Sequence, residues 1–247
     1  MSATSPKCAI ITGAGSGIGL ETSRQLVEKG WRVALFDVNT VNLDSLLPDA
    51  PGRSHLAFRV DVSDEAQVKD AIDRTIETFG RLDAVVNSAA ITVAADSEIL
   101  SVSAETFDRV LAVNLRGTFL MCKYSLPGLV TSQGAIVNVS SAAAVMGLSS
   151  TAYPSSKGGV NALTRAIAHQ VADAGVRCTS VMPGMVDTPM LNVAASKPGS
   201  SVRSIPGVID RRAEPDEIAR LITFLVSDDA RFITGTAIAA DGGLTKY

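Results

Sequence analysis

The sequence predicts one α/β domain: a doubly wound parallel sheet of about seven strands with helices on both faces. Two observations predict this class. Short apolar runs recur along the chain, and most are separated by stretches whose apolar residues lie three or four positions apart. Parallel strands need a crossover connection, so alternating strands and helices indicate βαβ units.

Seven apolar runs bounded by glycine, aspartate or asparagine are the candidate strands. They span residues 8–11, 33–36, 57–62, 84–86, 135–139, 176–182 and 237–240. Their continuous apolar character fits strands that are buried on both faces. Helical spacing is clear between them, as at Val68, Ile72, Ile76 and Phe79.

The whole chain, residues 1–247, is predicted to form this single domain because no linker-like composition divides its first 185 residues. Residues 188–213 differ, with serine, glycine and proline clusters and weak periodicity. Long irregular loops in compact domains often cover a binding site, so this segment is the candidate substrate lid. A helical pattern resumes at Pro215 and continues to Val226.

Composition excludes several classes of function. The formal net charge is −3 and hydrophobic residues make up 46% of the chain. The charge gives no basic surface for nucleic acid or an anionic membrane, and no apolar run is long enough to span a bilayer. Three separated cysteines in apolar segments fit buried thiols in a reducing compartment, and the N-terminal residues lack a signal-peptide core. We therefore expect a soluble cytoplasmic protein.

A glycine-rich segment follows the first predicted strand and opens a predicted helix. It contains Gly13, Ser16, Gly17, Ile18 and Gly19. Glycines allow a pyrophosphate to approach the amides at a helix N-terminus, where partial positive charge favours an anion. The spacing is not G-x-G-x-x-G, so it indicates a variant of that dinucleotide motif or a tight turn alone.

Polar or small residues end the next three strands, at the sheet edge where α/β proteins bind ligands. Asp37 stands 18 positions after Gly19, which suits a carboxylate that accepts hydrogen bonds from a ribose and repels a 2′-phosphate. This favours NAD over NADP, and a helix-capping aspartate is the alternative. Further candidates for cofactor contact are Asp61, Val62, Asn87 and Ala89.

Tyr153 and Lys157 are four residues apart at the start of a predicted helix. That spacing places the two side chains on one helical face, about 6 Å from each other. An ammonium at that distance would lower the pKa of the phenol by about two units, toward the range where it can exchange a proton with an alcohol or ketone. The alternative is an exposed helix pair without function.

Several motifs occur together and in order: TGAGSGIG at 12–19, Asp37, NSAA at 87–90, Asn114, Ser140-Ser141, YPSSK at 153–157 and PGMVDTPM at 183–190. With them the chain resembles the short-chain dehydrogenase/reductase family from about residue 7 to the DGG at 241–243. The resemblance implies a Rossmann-type domain, Tyr153 as acid/base, and Lys157 as the group that lowers its pKa and holds the nicotinamide ribose. It also implies a serine bonded to the substrate oxygen, and Asn114 holding a water that relays protons.

Three positions depart from the family pattern. The usual serine-to-tyrosine spacing of the family would make Ser140 the catalytic serine. The neighbouring sequence SSAAAVMG instead aligns Ser141 with that position, and we predict Ser141 as the catalytic serine. Pro154 follows the tyrosine, which predicts a helix starting at Tyr153. Ser88 replaces a frequent asparagine.

The segment after the sixth strand is expected, by the same resemblance, to close over the nicotinamide. Its candidate contacts are Pro183, Gly184, Val186 and Thr188. His55 and His169 have no partners at metal-ligand spacing, so no metal is predicted.

The sequence thus predicts an NAD(H)-dependent oxidoreductase that interconverts a secondary alcohol and a ketone by hydride transfer. One alternative is an NADPH-dependent 3-oxoacyl-thioester or carbonyl reductase of the same family. A second is a catalytically idle NAD-binding scaffold. The resemblance also implies a homotetramer paired through helices near 103–131 and 154–173.

Overall fold

The computed structural model describes residues 5–39, 43, 55–148, 150–195 and 207–245. Its sheet has the strand order β3-β2-β1-β4-β5-β6-β7, and every pairing is parallel. The strands are β1 Cys8–Thr12, β2 Arg32–Asp37, β3 Leu56–Arg59, β4 Ala84–Asn87, β5 Ala135–Val139, β6 Arg177–Pro183 and β7 Ala237–Ala240. The seven predicted strands are therefore confirmed.

In the described part of the chain, helices connect most of the strands. They are α1 Gly17–Glu28, α2 Glu65–Phe79, α3 Ala104–Leu111, α4 Thr118–Ser132, α5 Ala152–Gln170, α6 Pro189–Ala195 and α7 Pro215–Val226. A π-helical segment, Ala112–Gly117, joins α3 to α4 and contains Asn114. Residues 196–206 of the expected lid lie outside the described residues.

Alternate side chains of each strand face opposite layers of helices. Cys8 and Ile10 belong to a core with residues of α2, α4 and α5, whereas Ala9 and Ile11 belong to a second core with residues of α1 and α7. Both faces of the sheet are thus buried, which explains the continuous apolar runs in the sequence.

Most strand boundaries lie within a single residue of prediction, and two differences bear on the site. The strand expected at 57–62 ends at Arg59, because Asp61 turns the chain by accepting a hydrogen bond from the amide of Ser63. Helix α5 begins at Ala152, one residue earlier than expected. Pro154 falls in its first turn, where a missing N–H removes no intrahelical bond.

The sheet's topology sets the place of the site. β1 lies between β2 and β4, so the chain leaves β1 toward one edge of the sheet and later resumes on its other side. This switch point opens a crevice at the carboxyl ends of the strands, where such sheets bind ligands.

Candidate active site

A cavity of about 1160 Å³ lies at the carboxyl ends of the strands. Most site residues predicted from the sequence line its wall: Gly13, Ser16, Gly17, Ile18, Asp37, Asp61, Val62, Ala89, Ser141, Tyr153, Lys157, Pro183, Gly184, Val186 and Thr188. The fold therefore brings both groups of predicted residues, those for cofactor and those for catalysis, to one space.

The glycine segment forms a close turn between β1 and α1. Gly13 has φ +66°, and a Cβ there would lie 2.9 Å from the backbone N of Ala89. Gly17 has φ +53°, and a Cβ there would lie 2.9 Å from the Thr188 side chain. Side chains at either position would fill the space at the start of α1, so the turn leaves that helix N-terminus open to an anion.

Gly19 has a different role from the other glycines of this segment. It does not line the cavity in the described part of the chain, and a Cβ at this position would collide with the Gly13 carbonyl oxygen. Gly19 therefore allows the turn to close against its own helix, which is a packing requirement.

Asp37 stands at the end of β2 with its carboxylate turned toward the glycine segment. Oδ2 accepts a hydrogen bond from the amide of Gly15 at 2.9 Å, and Oδ1 accepts one from the amide of Asn39 at 2.9 Å. The side chain is half-buried and also lines the cavity. It thus fixes the turn while it presents negative charge to the space beside it.

Two predicted site residues at or just after the end of β4 lie in different places, one on the cavity wall and one in the protein core. Ala89 lines the cavity, and its amide donates to the Thr12 hydroxyl at 3.0 Å. Asn87 instead lies in the interior, where its Nδ2 donates to Asn138 Oδ1 at 2.8 Å. The structure does not bring the Asn87 side chain to the cavity wall, because this end of β4 turns it toward β5.

The two neighbouring serines after β5 have different environments. Ser140 is buried, and its hydroxyl donates to the main-chain oxygen of Lys157 at 2.9 Å. Ser141 accepts a hydrogen bond from the amide of Ala143 at 3.1 Å and shares a further hydrogen bond with the Tyr153 hydroxyl. Ser141 is therefore the serine that meets the tyrosine.

Tyr153 and Lys157 lie on one face of α5, as their spacing predicts. The Lys157 Nζ is 5.8 Å from the centre of the Tyr153 ring. It donates to the Val139 main-chain oxygen at 2.8 Å, and the lysine is 2% exposed. The ammonium group is thus held by the end of β5 beside the phenol.

The expected lowering of the tyrosine pKa is wrong for this arrangement. Burial raises the pKa of Tyr153, and the hydrogen bond with Ser141 opposes this only in part. Burial also lowers the pKa of Lys157 to about 8. In a polar medium the charge of the ammonium would dominate, whereas in this buried pair desolvation disfavours the charged forms of both groups. At neutral pH Tyr153 is therefore a neutral phenol that can donate a proton.

Asn114 lies behind the cavity wall, in the π-helical segment. Its Oδ1 accepts from the amide of Ile91 at 2.8 Å, and its Nδ2 donates to the Ile91 oxygen at 3.0 Å. Nδ2 also donates to the Ser156 hydroxyl at 3.1 Å. Asn114 therefore joins the loop after β4 to the first turns of α5, the helix that carries the tyrosine.

The segment after β6 forms another wall of the cavity. The amide of Gly184 donates to Ala240 O at 3.2 Å, and Val186 pairs with Ala213 in an isolated bridge. Met190 and Leu191 of α6 line the cavity with apolar side chains. Within the expected lid, residues 188–191 thus border the same space.

Sequence reasoning missed Asp96, which lines the cavity and is 2% exposed. Its carboxylate accepts hydrogen bonds from the amides of Thr151, Ala152 and Tyr153. No local signal identifies it, because its partners are more than fifty positions away.

Among the described residues, no group of histidine, cysteine or acidic side chains could hold a metal ion, and no helix is long and apolar enough to cross a membrane. Cys8, Cys122 and Cys178 are free and buried.

Comparisons with known proteins agree with this geometry. The family model described as enoyl-(acyl carrier protein) reductase matches residues 13–245. The 3-oxoacyl-[acyl-carrier-protein] reductase FabG of Thermotoga maritima is 36% identical over 246 residues, covering 96% of this chain and 97% of that protein. The 2-(R)-hydroxypropyl-CoM dehydrogenase of Xanthobacter autotrophicus is also 36% identical, covering 97% and 98%.

A solved structure supports the same relationship. The 3-ketoacyl-(acyl-carrier-protein) reductase from Brucella melitensis complexed with NADH has a TM-score of 0.87 and 32% identity. The match covers 97% of this chain and 98% of that one.

Proposed function

The chain belongs to the short-chain dehydrogenase/reductase family, and from this premise we propose that it is an NAD(H)-dependent oxidoreductase with Tyr153 as its acid/base. Its reaction interconverts a secondary alcohol and a ketone by hydride transfer. The observation that carries the proposal is one cavity that holds the Ser141–Tyr153 hydrogen bond, Lys157, the glycine turn and Asp37 on its wall.

The residues present fit a dinucleotide. Pyrophosphate would lie against the open turn at Gly13, Ser16, Gly17 and Ile18, with Gly19 keeping the turn closed from behind. Asp37 would accept from the adenine ribose, and Asp61, Val62 and Ala89 would border the adenine side. When bound, the nicotinamide supplies or accepts the hydride.

The nicotinamide end would be bordered by the turn after β6. Pro183, Gly184, Val186 and Thr188 line the cavity there. Asn87 would act from the core, by fixing the strand end beside this space.

The chain's own groups manage the proton. Ser141 and Tyr153 would hold the substrate oxygen, and the neutral phenol of Tyr153 would donate its proton as a ketone becomes an alcohol. In the reverse direction Tyr153 accepts the proton, and the neighbouring Lys157 ammonium stabilises the phenolate. Asn114 would connect this site to solvent through a bound water.

A second candidate is an NADPH-dependent 3-oxoacyl-thioester or carbonyl reductase. Two of the similar proteins are acyl-carrier-protein reductases, which favours the thioester substrate. Asp37 disfavours NADPH, because a carboxylate beside the ribose repels a 2′-phosphate. A catalytically idle NAD-binding scaffold is the least favoured reading, since it would not need Ser141, Tyr153 and Lys157 together.

The Tyr153→Phe variant tests the proposal. We expect NADH to bind with unchanged affinity while kcat falls by about 10²-fold or more, because only the phenol hydroxyl is removed. Tyr124→Phe is the matched control, since the Tyr124 hydroxyl bonds to Glu65 Oε1 at 2.6 Å and does not line the cavity. Turnover of Tyr153→Phe above a tenth of the parent rate would refute the assignment.

Three wider features of the enzyme belong to the same proposal: its domain organisation, its assembly and its location. Residues 1–247 form one functional unit with a substrate lid at 188–213. The unit assembles as a homotetramer, which sedimentation at several protein concentrations would test. The three buried free thiols support a reducing, cytoplasmic location.

A further inference from the structure

The first turn of α5 lacks a cap from its own flanking residue. Thr151 is the residue before the helix, and its hydroxyl donates to the main-chain oxygen of Ser97 at 2.8 Å. The first amides of the helix therefore need acceptors from elsewhere, since the first turn has no intrahelical partners for them.

Asp96 supplies those acceptors from the loop after β4. Oδ1 accepts from the amides of Thr151 at 3.0 Å and Ala152 at 2.9 Å, and Oδ2 accepts from the amide of Tyr153 at 2.9 Å. One buried carboxylate thus fixes three successive main-chain positions, the last of which belongs to the proposed acid/base.

The same loop is fixed at a second point. Ile91, five residues before Asp96, exchanges two hydrogen bonds with Asn114, whose Nδ2 also reaches the Ser156 hydroxyl. Ser156 in turn donates to the main-chain oxygen of Tyr153 at 2.7 Å. Tyr153 is therefore held through its amide by Asp96 and through its carbonyl by the chain from Asn114.

We propose that Asp96 is a positioning residue for the reaction, which sets the direction of the Tyr153 side chain by fixing its main-chain amide. The inference rests on the proposed role of Tyr153. A hydroxyl displaced by a fraction of an ångström loses its alignment with the substrate oxygen, and such misplacement lowers the rate without weakening cofactor binding.

Two substitutions separate positioning from stability. In Asp96→Ala all three acceptor bonds are lost, and we expect kcat to fall by about tenfold or more with the Kd for NADH unchanged. In Asp96→Asn the Oδ1 acceptor for Thr151 and Ala152 remains and the acceptor for Tyr153 is lost, so its kcat should lie between those of Asp96→Ala and the parent.

Asp64→Ala is the matched control. Asp64 caps α2 by accepting from the amides of Ala66 and Gln67, at 2.9 Å and 3.1 Å, and it does not line the cavity. Its loss should lower Tm with kcat unchanged. If Asp96→Ala lowers Tm and leaves kcat unchanged, Asp96 is only a helix cap and the inference is overturned. If Asp96→Ala does not fold, a parental kcat in Asp96→Asn overturns the inference.

A double-mutant cycle identifies the residue through which Asp96 acts. With enzyme in excess over NADH, Asp96→Ala should slow the Tyr153→Phe enzyme by less than threefold, about the uncertainty of such cycles. If Asp96→Ala lowers the rate of the Tyr153→Phe enzyme as much as it lowers the parent rate, Asp96 acts on the substrate directly, which contradicts the inference. If the Tyr153→Phe single variant retains turnover, the proposed function is wrong. If Tyr153→Phe loses turnover but Asp96→Ala keeps the parental kcat, only the positioning role of Asp96 is wrong.

Discussion

The two ends of the cavity are built in different ways. At the glycine end, the positive φ of Gly13 and Gly17 gives the turn between β1 and α1 its conformation, and the Asp37 carboxylate holds it through the amide of Gly15. At the tyrosine end, the positions of Tyr153 and Lys157 depend on partners far along the chain, such as Asp96 and Val139. The backbone conformation of the glycine turn is thus set largely by its own glycines, whereas the placement of the proton-transfer groups depends on tertiary contacts.

The largest effect on kcat is expected at the tyrosine end, where substitutions of the two adjacent serines should differ. Ser141→Ala should lower kcat by about 10²-fold or more, because it removes a hydrogen-bond donor to the reacting oxygen. Ser140→Ala removes only the bond to the Lys157 main-chain oxygen, so it should lower Tm and leave kcat within a few-fold of the parent. Steady-state kinetics and thermal unfolding of both variants test this, and the reverse pattern would assign catalysis to Ser140.

A smaller effect is expected at the glycine end. The parent should prefer NADH to NADPH, and Asp37→Ser should reduce that preference by about tenfold, because the like-charge repulsion of the 2′-phosphate disappears. Fluorescence titration with the two reduced cofactors measures the ratio. An unchanged ratio would mean that the Asp37 carboxylate serves only Gly15 and Asn39.

The smallest expected effect is the contribution of Lys157 to the pH dependence of the free energy of unfolding. The pKa of Lys157 is about 8 in the folded protein and 10.5 ordinarily. Between these values the unfolded chain holds the additional proton, so the free energy of unfolding gains at most about 1.4 kcal/mol per pH unit as pH rises.

Lys157→Met removes that titrating group. The raised pKa values of Tyr153 and Cys8 act in the opposite direction at high pH, so the difference between parent and variant is the useful quantity. Urea unfolding at pH 8 and pH 10 measures it. Equal pH dependence of the two proteins would contradict the lowered lysine pKa.

The contrast between the ends also explains what could be read from the sequence. Strands β5 and β7 and the glycine turn were predictable because apolar runs and glycines act locally. The start of α5 was missed by one residue, and Asp96 altogether, because the acceptors for those amides come from another loop. The tyrosine pKa was predicted in the wrong direction because burial depends on the whole fold.

The three free thiols have a practical consequence. Cys8 in β1, Cys122 in α4 and Cys178 in β6 belong to the same core on one face of the sheet, and burial raises the pKa of each. A thiol-specific alkylating reagent therefore reaches them only when that layer opens. The rate of labelling, followed by mass spectrometry, therefore measures how often α2, α4 and α5 separate from this face of the sheet.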